Sequence, residues 1–175
     1  KAEKIPIVNR IRCRKQMQHF SQYDLVRSAD AVIYSARWTE ENVLLLDLLK
    51  AGLLKHGFSG KVVVFDSVRF KNVPRLILRL GRLDKDALEL YLAKHRKLET
   101  DHINEILKRE SAKRNFFYFR KSKYSCSEDY KRCSALDEDN RPLYWDHVHW
   151  TLDGARFFGG KIVEAGELAK LLIPD

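Results

Sequence analysis

The 175 residues carry 33 Lys and Arg against 24 Asp and Glu, a formal net charge of +9, with 45% apolar and 33% charged residues. That balance suits one globular domain with a buried core and excludes a disordered chain. No apolar run approaches the roughly 20 residues of a membrane-spanning helix, and Lys1-Ala2-Glu3-Lys4 lacks the apolar stretch of a signal peptide. The chain is therefore expected to be cytosolic, or to be exported by a signal outside it.

The basic residues fall in separate stretches, Arg10 to Lys15, Arg69 to Arg82 and Lys108 to Lys123, and acidic residues interleave from Asp84 to Glu110. No nucleic-acid-binding motif accompanies them, so a nucleic acid is not the expected partner. A solvated basic face, or attraction to an anionic polymer or membrane surface, accounts for the charge.

In chain order, Ile5-Pro6-Ile7-Val8 is a possible short strand. Asp30 to Ala36, apolar and β-branched, predicts a buried strand with Arg37 and Trp38 at its C-terminal end. Thr39 suits a helix N-cap, with Glu40 and Glu41 complementing the dipole of a helix that runs to His56 and stops at Gly57. Lys61-Val62-Val63-Val64-Phe65 is the clearest strand, and strand–helix–strand in this order predicts a right-handed crossover in a parallel sheet. Asp66 to Phe70 then leads into a basic, Pro-containing loop.

Residues 84–111 read as one long helix, with Leu88, Tyr91, Leu92, Leu98, Ile103 and Ile106 at three- and four-residue steps and an Asp86/Glu89 capping box. His95 and His102 lie on or beside this stripe. Without a third ligand they are expected to be structural, partly buried histidines. Phe116 to Phe119 is a third strand, and residues 124–143 form a loop with Cys126, Cys133 and an acidic turn at Asp137 to Asn140. Phe158, Ile162, Val163, Ala169 and Leu172 mark a final helix packed on the sheet. The expectation is a single domain over 1–175 of the α/β class, with ligands gathering at the C-terminal ends of the strands. Arg37, Trp38, Ser67 and the Asp146–His149 loop occupy such positions.

Cys13, Cys126 and Cys133 leave one cysteine over from any pairing. Cys126 and Cys133 flank a short polar loop that a disulfide would staple in an oxidising compartment; the alternative is two unrelated thiols in a reducing one. Cys13 would then be free or paired outside the chain.

The richest stretch is Tyr144-Trp145-Asp146-His147-Val148-His149-Trp150-Thr151-Leu152-Asp153-Gly154-Ala155. A carboxylate three residues before a His, on a loop entering a helix, can orient the imidazole as a general base. The bland alternative is an Asp that caps the turn and a His packed between Trp145 and Trp150. A metal site built on His147, His149 and Asp146 or Asp153 is not expected. The six residues between Cys126 and Cys133 also exceed the usual spacing of paired zinc cysteines.

This stretch resembles the last block of the SGNH hydrolases (the GDSL esterase superfamily), whose form is Asp-x-x-His-Leu-Ser/Thr-x-x-Gly-Ala. Among them it is most similar to the SGNH domain fused behind multi-pass membrane acyltransferases that O-acetylate surface polysaccharides. Ala-Asp-x-Val-Ile-x-x-Ala-Arg-Trp, here Ala29 to Trp38, and the Cys…Cys loop before Tyr-x-Asp-x-x-His strengthen the resemblance, which runs from about residue 22 to 172. It implies a three-layer α/β/α sandwich with a parallel, flavodoxin-like sheet and no cofactor. His149 would be the general base toward a serine, and Asp146 the residue that holds its tautomer. Arg37 and Trp38 fall where the family carries its Gly-x-Asn oxyanion block. The Asn is absent, so Arg37 is an oxyanion or acidic-sugar candidate, with a strand-end salt bridge as the alternative.

The family's nucleophile stands in Gly-Asp-Ser after the first strand, and no Gly-Asp-Ser occurs here. Phe65-Asp66-Ser67 mimics it but follows a later strand and lacks the Gly. The expectation is a chain that begins after the first strand and its serine, with little triad-dependent activity of its own. Two functions follow. One is O-acetyl transfer to, or ester hydrolysis from, cell-surface carbohydrate on the periplasmic or extracellular side of a membrane, with an acyl donor and a fused transmembrane acyltransferase domain as partners. The other is a non-catalytic module that binds an anionic glycan or a protein.

Overall fold

Val62, Val63 and Val64 are buried on both faces of Lys61–Phe65 (β2), which makes it the central strand of a parallel sheet. The computed structural model describes residues 24–71, 73 and 84–172; Ile5 to Val8, Cys13 and the basic loop after Lys71 largely lie outside them. A short helix, Asp24–Arg27 (α1), leads into Ala31–Ser35 (β1). This strand pairs with β2 residue for residue, from Ala31 opposite Lys61 to Ser35 opposite Phe65. Phe117–Phe119 (β3) pairs on the other side, from Val63 opposite Phe117 to Phe65 opposite Phe119, giving the order β1–β2–β3.

Strand alternation splits the valines between two cores. Val62 and Val64 pack with Trp38, Leu46, Leu53, Phe58 and Leu107, while Val63 packs with Phe119 and Ile162 on the opposite face. Helices therefore cover both faces, as the three-layer expectation requires.

The helix predicted from Thr39 to His56 is two, Glu40–Val43 (α2) and Leu46–Lys55 (α3), joined by a turn at Leu44 and Leu45. Thr39 Oγ1 accepts from the Asn42 amide at 3.2 Å as a true N-cap, and Gly57, at φ +74°, ends the second helix in the left-handed conformation.

The predicted long helix over 84–111 is also two, Lys85–Lys94 (α4) and Glu99–Lys113 (α5). Residues 95–97 leave the helical path to pair with residues 69–71. The Lys71 amide donates to the His95 carbonyl and the Lys97 amide to the Arg69 carbonyl, both at 2.8 Å, around an antiparallel Phe70–Arg96 bridge. This pairing satisfies backbone groups that helix periodicity alone would have assigned within the helix. It also leaves Leu98 on the surface, 70% exposed. The Asp86/Glu89 capping box is not formed: the N-cap is Asp84, with no side-chain cap, and Asp86 instead accepts from Arg132 at 2.8 Å.

A four-residue helix, Ser122–Ser125 (α6), precedes the Cys loop, where Cys126 and Cys133 form a disulfide. The pair is buried against Leu88, Leu92, Leu143, Tyr144 and Phe158, so the loop covers an apolar core. Leu152–Glu164 (α7) and Glu167–Leu172 (α8) complete the chain, broken at Gly166, φ +65°. Phe158 and Ile162, four apart, bury one face as expected; Val163 is 78% exposed, because one step past Ile162 turns it by about 100° off that face, and Ala169, on the separate helix α8, is exposed. Among the described residues no helix is long and apolar enough to cross a membrane.

Candidate active site

Tyr144 to Trp150 forms a tight loop closed by an antiparallel Tyr144–Trp150 bridge and by the Trp145 amide donating to the His149 carbonyl at 2.8 Å. At its tip the two oxygens of Asp146 divide the work. Oδ1 accepts from the backbone amides of Val148 and His149 at 2.8 and 2.9 Å, and Oδ2 lies 2.7 Å from His149 Nδ1. Capping the turn and orienting the imidazole are thus one arrangement, because the two-residue gap lets the turn carry both side chains to the same side.

The alternative in which His149 packs between two indoles does not occur. The His149 side chain is 73% exposed and Trp145 76%, while Trp150 stacks at 4.8 Å on Phe158. Burial pushes the Asp146 carboxyl up, but the His149 amide, the His149 ring and the Val148 amide outweigh it and hold the group well below the usual carboxylate range. An ionised Asp146 can only accept, so Nδ1 of the neutral ring carries the hydrogen and donates it to Oδ2, and Nε2 keeps its lone pair. Nε2 has no hydrogen-bond partner among the described residues.

The loop is anchored at both ends. Thr151 caps α7, its Oγ1 accepting from the Gly154 amide at 2.9 Å and donating to the Pro142 carbonyl at 2.6 Å. A Cβ on Gly154 would stand 2.0 Å from the Leu143 carbonyl oxygen, so the helix can approach the segment before the loop only with glycine there. That is the physical content of the Gly154 position in the motif. From the other side, the Phe70 amide donates to the His147 carbonyl at 3.0 Å.

Arg37 is exposed at the end of β1, and Trp38 is not beside it in solvent. Trp38 is 1% exposed and its indole N–H donates to the Phe65 carbonyl at 2.7 Å, which ties the ends of β1 and β2 together. As a substrate-binding candidate it is corrected: its ring is core and its one donor is committed. Sequence reading passed over Arg69. It is 6% exposed, its Nε has no partner, and burial together with the nearby Arg37 charge lowers its pKa. The available signal was a cation between Val68 and Phe70, two residues with core character.

Ser67 sits deeper in the structure, 7% exposed, with its amide and carbonyl both bonded to the Asn104 side chain at 3.3 and 2.8 Å. Asp66 beside it is a buried tie. It accepts from the Ser122 amide at 2.7 Å, Ser122 Oγ at 2.5 Å and Tyr118 Oη at 3.3 Å. Burial raises its pKa against the pull of those bonds. Neither residue approaches Asp146 or His149 by any hydrogen bond. His95 stacks on Tyr91 at 4.1 Å, and His102, exposed rather than partly buried, lies 4.0 Å from Glu40. No group of three metal-ligating side chains occurs among the described residues.

With this geometry in hand, comparison with known proteins is specific. The model of a family described as "SGNH domain (fused to AT3 domains)" matches residues 2–164. The fold is similar to that of the periplasmic domain of a lipopolysaccharide acetyltransferase from Salmonella ser. Paratyphi A. The TM-score is 0.65 and the identity 13%, over 87% of this chain and 60% of that one. The chain thus spans about 60% of the length of that structure, and the likeness at this identity is one of fold. No curated protein matches the chain significantly.

Proposed function

Because the chain belongs to the SGNH domain family of the kind fused to AT3 domains, we propose that Asp146 and His149 are the acid–base part of a Ser-His-Asp acyl-transfer site. The reading is carried by one observation: His149 Nδ1 lies 2.7 Å from a carboxylate fixed by two backbone amides, on an exposed side chain whose Nε2 engages none of the described residues. That arrangement selects the tautomer a general base needs and stabilises the imidazolium formed when the base takes a proton.

In the first half-reaction Nε2 would accept the serine hydroxyl proton as the oxygen attacks an acyl carbonyl. His149 then returns that proton to the departing group as the acyl-serine forms. In the second, Nε2 deprotonates a carbohydrate hydroxyl or water that attacks the acyl-serine, and the proton passes back to the serine oxygen as the ester bond breaks. Arg37, with Arg69 beside it, is the cationic candidate for the developing oxyanion, since no Asn takes that place. Ser67 is not assigned as the nucleophile: its backbone is pinned by Asn104 and no helix begins at it. The serine is assigned to sequence outside this chain.

O-acetylation of a cell-surface carbohydrate, with the acyl group delivered by a fused membrane AT3 domain, is the substrate reading supported by the family description and by the lipopolysaccharide acetyltransferase domain of similar fold. A periplasmic or extracellular setting fits the Cys126–Cys133 disulfide. The test is turnover of a chromogenic acetate ester by wild type and His149→Ala, in this chain and in a polypeptide joined to its AT3 domain. Little His149-dependent turnover is expected from the chain alone, and a large loss on His149→Ala in the longer polypeptide. Equal rates there would overturn the assignment of His149.

A further inference from the structure

A cleft of about 680 Å³ opens between the C-terminal half of α4 and the disulfide loop. Five cations line it: Lys71, Lys94, Arg96, Lys97 and Lys131. Its two acids are engaged already, Glu99 at 3.8 Å from Lys97 and Asp129 at 2.9 Å from Lys131. Lys71 and Lys94 have no carboxylate partner among the described residues. The cleft thus holds an excess of positive charge that nothing in these elements neutralises.

Its floor is built rather than incidental. The Arg96 side chain is only 9% exposed, bonds one nitrogen to Asp101, and leaves its Nε without a partner. The guanidinium stacks 3.9 Å from the centre of the Tyr130 ring. Tyr130 itself stands at φ +55°, a left-handed backbone that a bulky residue rarely adopts. The loop that imposes this conformation is closed by the Cys126–Cys133 disulfide and by the Ser127 amide donating to the Arg132 carbonyl at 2.8 Å. Leu90 and Leu98, 40% and 70% exposed, add an apolar wall.

The cleft also communicates with the candidate active site. Residues 69–71 pair with 95–97 at its rim, and Phe70 on the same segment donates to the His147 carbonyl. The segment of residues 69–71 therefore joins the rim of the cleft to the loop of Asp146 and His149.

We infer that this cleft binds a carboxylated carbohydrate, a segment of an acidic glycan whose neighbouring sugar is the acyl acceptor. The lysines, Lys71 and Lys94 first, meet the carboxylates above the Arg96–Tyr130 floor, while Leu90 and Leu98 meet the apolar faces of the sugar rings. Nucleic acid fits less well, because the face of Tyr130 that a base would stack on is covered by Arg96. The acceptor role rests on the acyl-transfer reading above; the binding does not.

The test is calorimetric titration of the chain with trigalacturonate, maltotriose and inorganic phosphate. Trigalacturonate is expected to bind at least about tenfold more tightly than maltotriose, and Lys94→Glu combined with Lys131→Glu, both on the surface, to weaken it about tenfold or more at unchanged Tm. Equal affinity for the two trimers, or equal affinity in wild type and the charge-reversal variant, would overturn the proposal. Phosphate competing as well as trigalacturonate would show a bare anion site and overturn the carbohydrate assignment. Trigalacturonate binding without His149-dependent turnover in the longer polypeptide would leave the cleft standing and remove the catalytic reading; turnover with no preference for the acidic trimer would do the reverse.

Discussion

The amide of Phe70 donates to the carbonyl of His147 at 3.0 Å, and this bond joins the segment leaving the central strand to the loop that carries Asp146 and His149. The two segments are far apart in sequence. Their junction places Arg69, Arg37 and the Asp–His pair at the same end of the sheet, where parallel strands present their C-terminal ends. The same segment pairs on its other side with residues 95–97, so a three-residue stretch holds both the loop of Asp146 and His149 and the rim of the basic cleft.

The two duties of Asp146 separate under mutation. Asp146→Asn retains an oxygen to accept the Val148 and His149 amides but presents either that oxygen or an NH2 group to Nδ1, with no charge. Stability is expected to change by less than about 1 kcal/mol, while His149-dependent turnover falls by up to about ten thousand-fold. Asp146→Ala removes the turn as well, at about 1–2 kcal/mol. Imidazole 15N NMR reads the tautomer directly: the Nδ1–H form is expected to dominate neutral His149 in wild type and to lose its preference in Asp146→Asn. An unchanged tautomer would mean that Asp146 does not hold it.

Gly154→Ala and Gly159→Ala should move stability in opposite directions. At Gly154 the new Cβ meets the Leu143 backbone at 2.0 Å, and a shift of backbone there is expected to cost about 1–3 kcal/mol. At Gly159 a Cβ has nothing within 4 Å, and alanine in mid-helix is expected to gain about 0.5–1 kcal/mol. Urea unfolding of both variants measures the pair; destabilisation by Gly159→Ala would contradict the packing described for α7.

Arg69→Met tests whether the buried guanidinium is kept for function. The Glu99 charge offsets the desolvation of this guanidinium only in part, and methionine fills similar volume, so the variant is expected to be more stable by about 1–2 kcal/mol, with a Tm a few degrees higher. Turnover in the longer polypeptide is expected to fall. A lower Tm would show that Arg69 serves the fold.

Acid sensitivity follows from Glu110. Hydrogen bonds from Lys113 and then Arg114 draw its carboxyl down to about 2. A carboxylate depressed on folding contributes stability that is present above its unfolded pKa and disappears as pH falls through the folded one. The contribution is therefore complete above about pH 4.5 and lost between there and about pH 2. Tm measured across that window is expected to fall less steeply in Glu110→Gln than in wild type; identical slopes would count against the pairing.

Local rules served the strands, the Thr39 cap and the Gly57 stop well, though not the Asp86/Glu89 capping box. A run of valines reads as a doubly buried strand, and Thr39 and Gly57 punctuate the helical segment before it. They failed at His95 to Lys97, where three- and four-residue periodicity continues but the backbone is taken by residues 69–71. They failed again at Trp38, whose position in a motif resembled a substrate site while its indole N–H was committed to Phe65.

By itself, then, the sequence determined the layered α/β plan and the contact of Asp146 with His149, because burial pattern, capping and an i, i+3 turn are interactions among near neighbours. Only the tertiary structure decided that Trp38 commits its indole N–H to Phe65, that Arg69 is buried with its Nε unpartnered, and that the disulfide loop walls a basic cleft. Those facts depend on which distant backbone segments share hydrogen bonds, and no spacing along the chain records that choice.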